Sequence, residues 1–263
     1  MNEKLLMSFE EYSKLRYEKP YVLKIEKGDQ LLVCFGSKHL YDPADPTFQV
    51  IEKQWDEFVK TTEGKKRHAF VEGGNWPFES SRQKALETGE MSFVTHLAGL
   101  SKVPVSSPEP TEQYRHNELL KKFSKEEIAY HDFARMASQW NRLVVKPSFE
   151  EYLSGSLKND ARVSGWTDFD FSIDNLKKVH TKLFNTPFDE KDEEFFSDVI
   201  DPMKETTVIN KLSRFEGEEF RDRCILGEIE KHWKEGENLF LIYGSSHVVR
   251  QEPVIRDFVN NPR

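Results

Sequence analysis

LIYGSSHV, residues 241–248, and LLVCFGSKHLYDP, residues 31–43, decide how this chain is read. In both, an apolar run ends in Gly-Ser-x-His, as Gly36 to His39 and as Gly244 to His247. An apolar run of this length that stops at a glycine reads as a buried strand meeting a turn. Each histidine then stands just past a strand's C-terminal end, the edge at which open α/β sheets bind ligands. The copies are too far apart for local repetition. The pattern therefore predicts two strand ends side by side, with both imidazoles in one crevice.

Working outward from the first copy, Tyr21–Glu26 and Gln30–Phe35 read as strands joined across Lys27-Gly28-Asp29, a hairpin. Residues 1–20 are polar and helix-prone, ended by Pro20. After His39, two Asp-Pro pairs favour turns, and Asp45 or Thr47 is placed to cap a helix over FQVIEKQWDEFVKTT. Its Val50, Ile51, Trp55, Phe58 and Val59 fall on one helical face. A short strand, Ala69 to Val71, then runs into Glu72-Gly73-Gly74, a third strand end with a polar side chain. Glu72 fits two readings: a carboxylate where the backbone turns tightly against a ligand, or the start of a solvated loop.

Two helical pieces separated by Gly89 follow. Glu90 opens the second, either as a first-turn carboxylate on the helix dipole or as a site residue. His96 lies on the apolar part of that helix and reads as packed and hydrogen-bonded. Val103 to Ser106 makes another strand, and Glu109 follows it between Pro108 and Pro110, a second acidic residue past a strand. Residues 111–185 are mostly helical in pattern, interrupted by the turn-rich ARVSGWTDFD, and the acidic run 189–198 reads as a solvated helix start. His116, His131 and His180 lack metal-type spacing and read as structural or surface residues. Residues 208–236 read as one long helix weakened at Gly217 and Gly227, with a break near Gly217 as the alternative, and the final helix at VIRDFVNN. The expected fold is one α/β domain over 1–263, a central mixed β-sheet flanked by helices. A helical insertion over roughly 111–205 is expected to cap the strand-end cleft.

Composition sets outer limits. A chain of 263 residues is long enough to bury a sizeable core, and 37% hydrophobic with 32% charged residues describes heavily solvated helix faces. A net charge of −8, with the short basic cluster Lys65-Lys66-Arg67 reading as a solvated turn, argues against nucleic acid as a partner. No apolar signal core or bilayer-length run occurs, so the expectation is a cytoplasmic protein without membrane attachment. The two cysteines, Cys34 and Cys224, show no metal spacing, and Cys34 reads as a small buried hydrophobe.

Two imidazoles and two carboxylates at strand ends, His39, His247, Glu72 and Glu109, form a ligand set for a divalent ion such as Mn, Co or Zn. Such an ion lowers the pKa of a bound water and supplies hydroxide for hydrolysis. Without it, a Glu–His pair can activate water directly. No G-x-S-x-G elbow supports Ser37 or Ser245 as nucleophile, and neither nucleotide-binding glycine motif occurs.

The ordered set resembles the TraB / TIKI / erythromycin-esterase / ChaN superfamily of α/β proteins. The likeness is carried by Gly36, His39 and Glu72 in LLVCFGSKHLYDP and FVEGG, and by Asp222-Arg223 and His247 in FRDRCILGEIEKHWKEGENLFLIYGSSHV. The SSPEP segment with Glu109 matches a later acidic position. The resemblance implies a central sheet with a cleft at its strand ends, lined by His39, Glu72 and His247, with Arg223 as a charged partner. It implies a hydrolase of the metal-dependent peptidase or esterase type acting on a peptide or small-molecule amide or ester. Its ChaN-type branch implies the alternative of haem binding without turnover, and a further alternative is a regulatory or toxin-associated protein that keeps only the fold.

Overall fold

Hydrophobic residues run almost without interruption through two of the five strands and through the last three residues of a third, because those segments are covered on both faces. The computed structural model describes residues 2–40 and 42–261, so Tyr41 of the first motif stretch lies outside the described residues. Strands β1 (Tyr21–Lys27), β2 (Gln30–Ser37), β3 (Arg67–Val71), β4 (Val105–Ser106) and β5 (Asn238–Gly244) form one sheet in the order β1-β2-β5-β3-β4. The β1–β2 hairpin is antiparallel and every other pairing is parallel. This is the expected α/β architecture with a mixed central sheet.

The chain divides into two compact units. One comprises the residues up to Glu109 and those from Arg221 onward, and holds the sheet. The other is Pro110–Phe220, so the helical stretch expected over about 111–205 extends at both ends.

In the sheet unit, strand alternation sends side chains to two cores. Leu31, Val33, Phe35, Ala69, Val71, Phe240 and Ile242 face α2 (Thr47–Thr61), α3 (Arg82–Thr88) and α4 (Glu90–Leu100). Leu32, Cys34, Phe70, Leu239, Leu241 and Tyr243 face α11 (Asp222–Lys234) and α12 (Ser245–Asn260). Burial of each large apolar side chain is worth about 1.5–3 kcal/mol, so both layers stabilise the sheet. Ile51, Trp55 and Phe58 carry the inward face of α2, whereas Val50 is exposed. The N-cap position is Pro46 and not Asp45 or Thr47, although Asp45 Oδ1 accepts the Thr47 N–H at 2.8 Å.

The connections set where the site forms. Helix α2 leaves β2, and α3 and α4 leave β3, all on the first face, while α12 leaves the intervening β5 on the other face. Chains that depart on opposite sides of neighbouring strands leave a crevice at the carboxyl edge of the sheet.

The helical unit comprises α5 (Glu112–Leu119), α6 (Lys125–Arg142), α7 (Phe149–Ser164), α8 (Ile173–Phe184), α9 (Glu193–Val199) and α10 (Val208–Phe215). Helix α7 runs through ARVS, where a break was expected, and stops at Gly165 in the left-handed conformation (φ 66°). His116, His131 and His180 are buried there; His131 bonds Ser213 and His180 bonds Tyr130. The helix expected over 208–236 is interrupted at the expected weak point, by a π-helical turn, Glu216–Arg221, that contains Gly217. The last helix is longer than expected. It begins directly at Ser245 and passes through Pro253, because its buried face from Val248 to Phe258 packs on the sheet strongly enough to tolerate one lost backbone bond. Among the described residues, no helix is long and apolar enough to cross a membrane.

Candidate functional site

The two Gly-Ser-x-His copies lie on adjacent parallel strands in direct register, Gly36 opposite Tyr243 and Ser37 opposite Gly244. At both glycines a Cβ would meet a close neighbour. A Cβ on Gly36 would meet backbone, 2.9 Å from Ser245 Cα and 3.0 Å from Tyr21 O. A Cβ on Gly244 would stand 2.8 Å from His39 Nε2 and 3.4 Å from Glu72 Oε2. The first glycine lets α12 start against β2. The second leaves room for two polar side chains to converge over the strand end.

His39 follows β2 with φ 61°, a left-handed conformation uncommon for a residue with a Cβ, and such local strain concentrates at functional sites. This turn carries the imidazole back over the sheet edge. Its Nδ1 lies 3.2 Å from Glu90 Oε1, while Glu90 Oε2 accepts the Leu40 backbone N–H. The first of these is an ion-pair contact rather than an aligned hydrogen bond. Glu90 is buried at the start of α4, so of its two sequence readings the structure places it beside His39.

His247 lies in the first turn of α12. Its Nδ1 bonds Asp222 Oδ1 at 2.7 Å, and Asp222 is fully buried, also accepting from Arg250 Nη1 and Gln251 Nε2, each at 2.7 Å. Burial by itself would raise the Asp222 carboxyl. The His247 imidazole and Arg250 outweigh it, with the Gln251 bond, and hold it below the usual carboxylate range. An ionised carboxylate only accepts, so in neutral His247 the proton sits on Nδ1 and Nε2 carries the lone pair. Arg221 Nη1 lies 3.3 Å from that Nε2 and can only donate to it, which agrees.

Glu72 sits between the two rings. Its Oε1 is 3.6 Å from His247 Nε2, and its Oε2 is 4.0 Å from His39 Nε2 and accepts the Gly244 N–H at 2.6 Å. Burial alone would raise this carboxyl. The imidazoles of His39 and His247, the Arg221 guanidinium and the Gly244 N–H win, and hold it well below the carboxylate range. Glu109 Oε1 accepts from the Gly73 backbone at 3.0 Å and from Arg221 Nη2 at 2.9 Å; the same Nη2 donates to Glu72 Oε1 at 2.9 Å. The guanidinium thus bridges the two carboxylates.

The structure brings His39, Glu72, Glu109 and His247 together at one edge, and corrects the arginine. Arg223 is 42% exposed and pairs with Glu3 at 3.1 Å, outside the cluster. Arg221 takes the place expected of it. Asp222 has arginines on both sides in FRDRC, and a plain helical reading cannot choose between them. The π-helical turn ending at Arg221 changes the phase of the helix and turns that side chain to the carboxylates. The sequence signal for Asp222 was its place beside Arg223; the His247 bond that gives it meaning spans 25 residues. Ser245, expected as a turn residue, is buried at the helix start, where its hydroxyl pairs with Tyr17. His96 is buried and its Nδ1 bonds Glu79 O at 2.7 Å, as expected of a packed histidine.

As a ligand set, His39, Glu72 and His247 fit a divalent ion in one specific respect. Each ring meets a buried carboxylate at Nδ1 and turns Nε2 toward Glu72, the outer-carboxylate arrangement that orients metal-binding histidines. Glu109 fits less well, because its carboxylate is already engaged by Arg221 and Gly73. No family model, curated protein or solved structure matches this chain.

Proposed function

We propose that the strand-end cluster is a hydrolytic centre that directs water onto an amide or ester carbonyl. The observation that carries this reading is the paired anchoring of His39 by Glu90 and His247 by Asp222, with both Nε2 atoms turned toward one low-pKa carboxylate. In this reading His247 Nε2 takes the proton from the attacking water, and Asp222 stabilises the imidazolium that forms. Glu72 orients the water and His39. Arg221, already held by Glu72 and Glu109, stabilises negative charge developing on the carbonyl oxygen. A divalent ion held by His39, Glu72 and His247 would supply a more acidic bound water. The resemblance to the TraB / TIKI / erythromycin-esterase / ChaN superfamily supports the same class, with a peptide or small-molecule substrate.

The test is turnover of a panel of acyl esters and peptide amides, by chelator-treated protein with and without added Mn, Co or Zn. His247→Ala and Arg221→Gln are expected to lower kcat/KM by about 10²-fold or more, the usual contribution of a general base or a charge-stabilising donor. Arg223→Gln is expected to leave it unchanged. Turnover that is absent across the panel, or indifferent to both site substitutions, defeats the reading.

A further inference from the structure

A second cluster of metal-ligating side chains lies at the other end of the strands. His68 is near the start of β3, in register with Leu239 of β5. Glu237 immediately precedes β5, and His232 is in the last turn of α11. Sheet register and helix end thus bring His68 beside His232 and Glu237, a pair close to each other but far from it in sequence. One donor atom from each lies within 4.8 Å of the others. His232 Nδ1 is 2.7 Å from Glu237 Oε2, and His68 Nδ1 is 3.9 Å from the same oxygen. The two imidazole rings pack with centroids 4.5 Å apart.

We propose that His68, His232 and Glu237 bind a divalent transition cation of the zinc or cobalt type. The argument needs no part of the hydrolytic reading. Two imidazoles and one carboxylate are a common three-ligand set for zinc, with a fourth position left to water. Ligand atoms about 2.0–2.1 Å from a tetrahedral ion stand roughly 3.3 Å apart, so the existing separations close on an ion by side-chain adjustment of under about 1 Å each.

The outer contacts point the same way. His68 turns its Nε2 to Ser106 Oγ at 2.8 Å, and His232 Nε2 lies 3.9 Å from Glu228 Oε2. Both Nδ1 atoms are left on the Glu237 side, and the far nitrogen of His68 is held by a hydrogen bond, as in oriented metal histidines. Phe70 walls the site with its ring edge-to-face against His232. A metal here would tie the end of α11 to the first residues of β3 and β5, and so would be structural.

The experiment is titration of chelator-stripped protein with Co²⁺, read by its visible d–d absorption and by displacement with Zn²⁺. A chain carrying His39→Ala and His247→Ala is expected to keep one equivalent of bound cobalt, which separates this site from the strand-end cluster. Adding His232→Ala or Glu237→Gln to that chain is expected to weaken binding by at least tenfold. Glu237→Gln preserves the side-chain shape and the polar contact to His232, so circular dichroism matching the parent chain assigns its loss of metal to the ligand. Absence of the cobalt spectrum in the His39→Ala, His247→Ala chain overturns the proposal. So does binding that neither further substitution weakens.

Discussion

Replacing Asp222 with alanine tests whether the site is held by a buried ion pair. Asp222 is fully buried and accepts three hydrogen bonds of 2.7 Å, from His247, Arg250 and Gln251. Arg250 is itself 1% exposed, and its guanidinium lies over the Phe9 ring at 3.6 Å. Removing the carboxylate deprives this buried cation of its 2.7 Å ion pair with Asp222. Breaking a buried pair in this way costs about 3–5 kcal/mol. With roughly 2–4 °C of melting temperature per kcal/mol for a domain of this size, the loss corresponds to a fall of about 6–20 °C. Tryptophan fluorescence follows it, since Trp55, Trp76 and Trp233 all lie in the sheet unit. Replacing the pair together, Asp222→Ala with Arg250→Met, is expected to recover much of the loss, because the Arg250 site can accept an apolar side chain against Phe9. A fall of less than about 2 °C in Asp222→Ala, or no recovery in the double variant, would refute the reasoning.

Two further outcomes follow from the same geometry. Gly36→Ala drives a methyl group into backbone on two sides and should cost about 1–3 kcal/mol, whereas in Gly244→Ala the nearest atom is the end of the His39 side chain, which is 41% exposed and can swing away. The melting temperature should therefore fall clearly in the first and little in the second, while the His39 ring resonances shift only in the second; equal melting effects would contradict the contacts. In the helical unit, burial and then the nearby Asp132 and Glu112 charges push Asp160 up to about 7. A carboxyl raised on folding contributes stability that is fully present below its ordinary pKa of about 3.9 and is lost as pH rises through the folded value. Asp160→Asn should thus flatten the decline in stability between about pH 4 and 7, and urea titrations at pH 5 and 8 that show the same slope as wild type would rule this out.

Much of the sheet was legible because it is a matter of period and punctuation. The hairpin turn at Gly28, the apolar run of β2, and the glycines ending β2 and β5 are all local signals, and they appear where they were expected. Helix ends that depend on packing were less legible. Helix α12 continues through Pro253 because the sheet beneath it rewards burial of Val254, Ile255 and Phe258, a term no local stop signal contains. Helix α7 likewise outruns a turn-rich segment to reach the glycine that ends it.

The chain alone determined that two histidines and an acidic residue stand at strand ends, since strand, glycine and polar side chain are consecutive in each of those segments. Tertiary structure decided which partners they have. Asp222 reaches His247 because α11 and α12 pack together on one face of the sheet, and Glu90 reaches His39 because α4 begins beneath the turn that follows β2. Arg221 rather than Arg223 enters the cluster because a π-helical turn resets the helix phase immediately before it. Phase and packing are sums over many residues, and a single arginine beside an aspartate carries no trace of either.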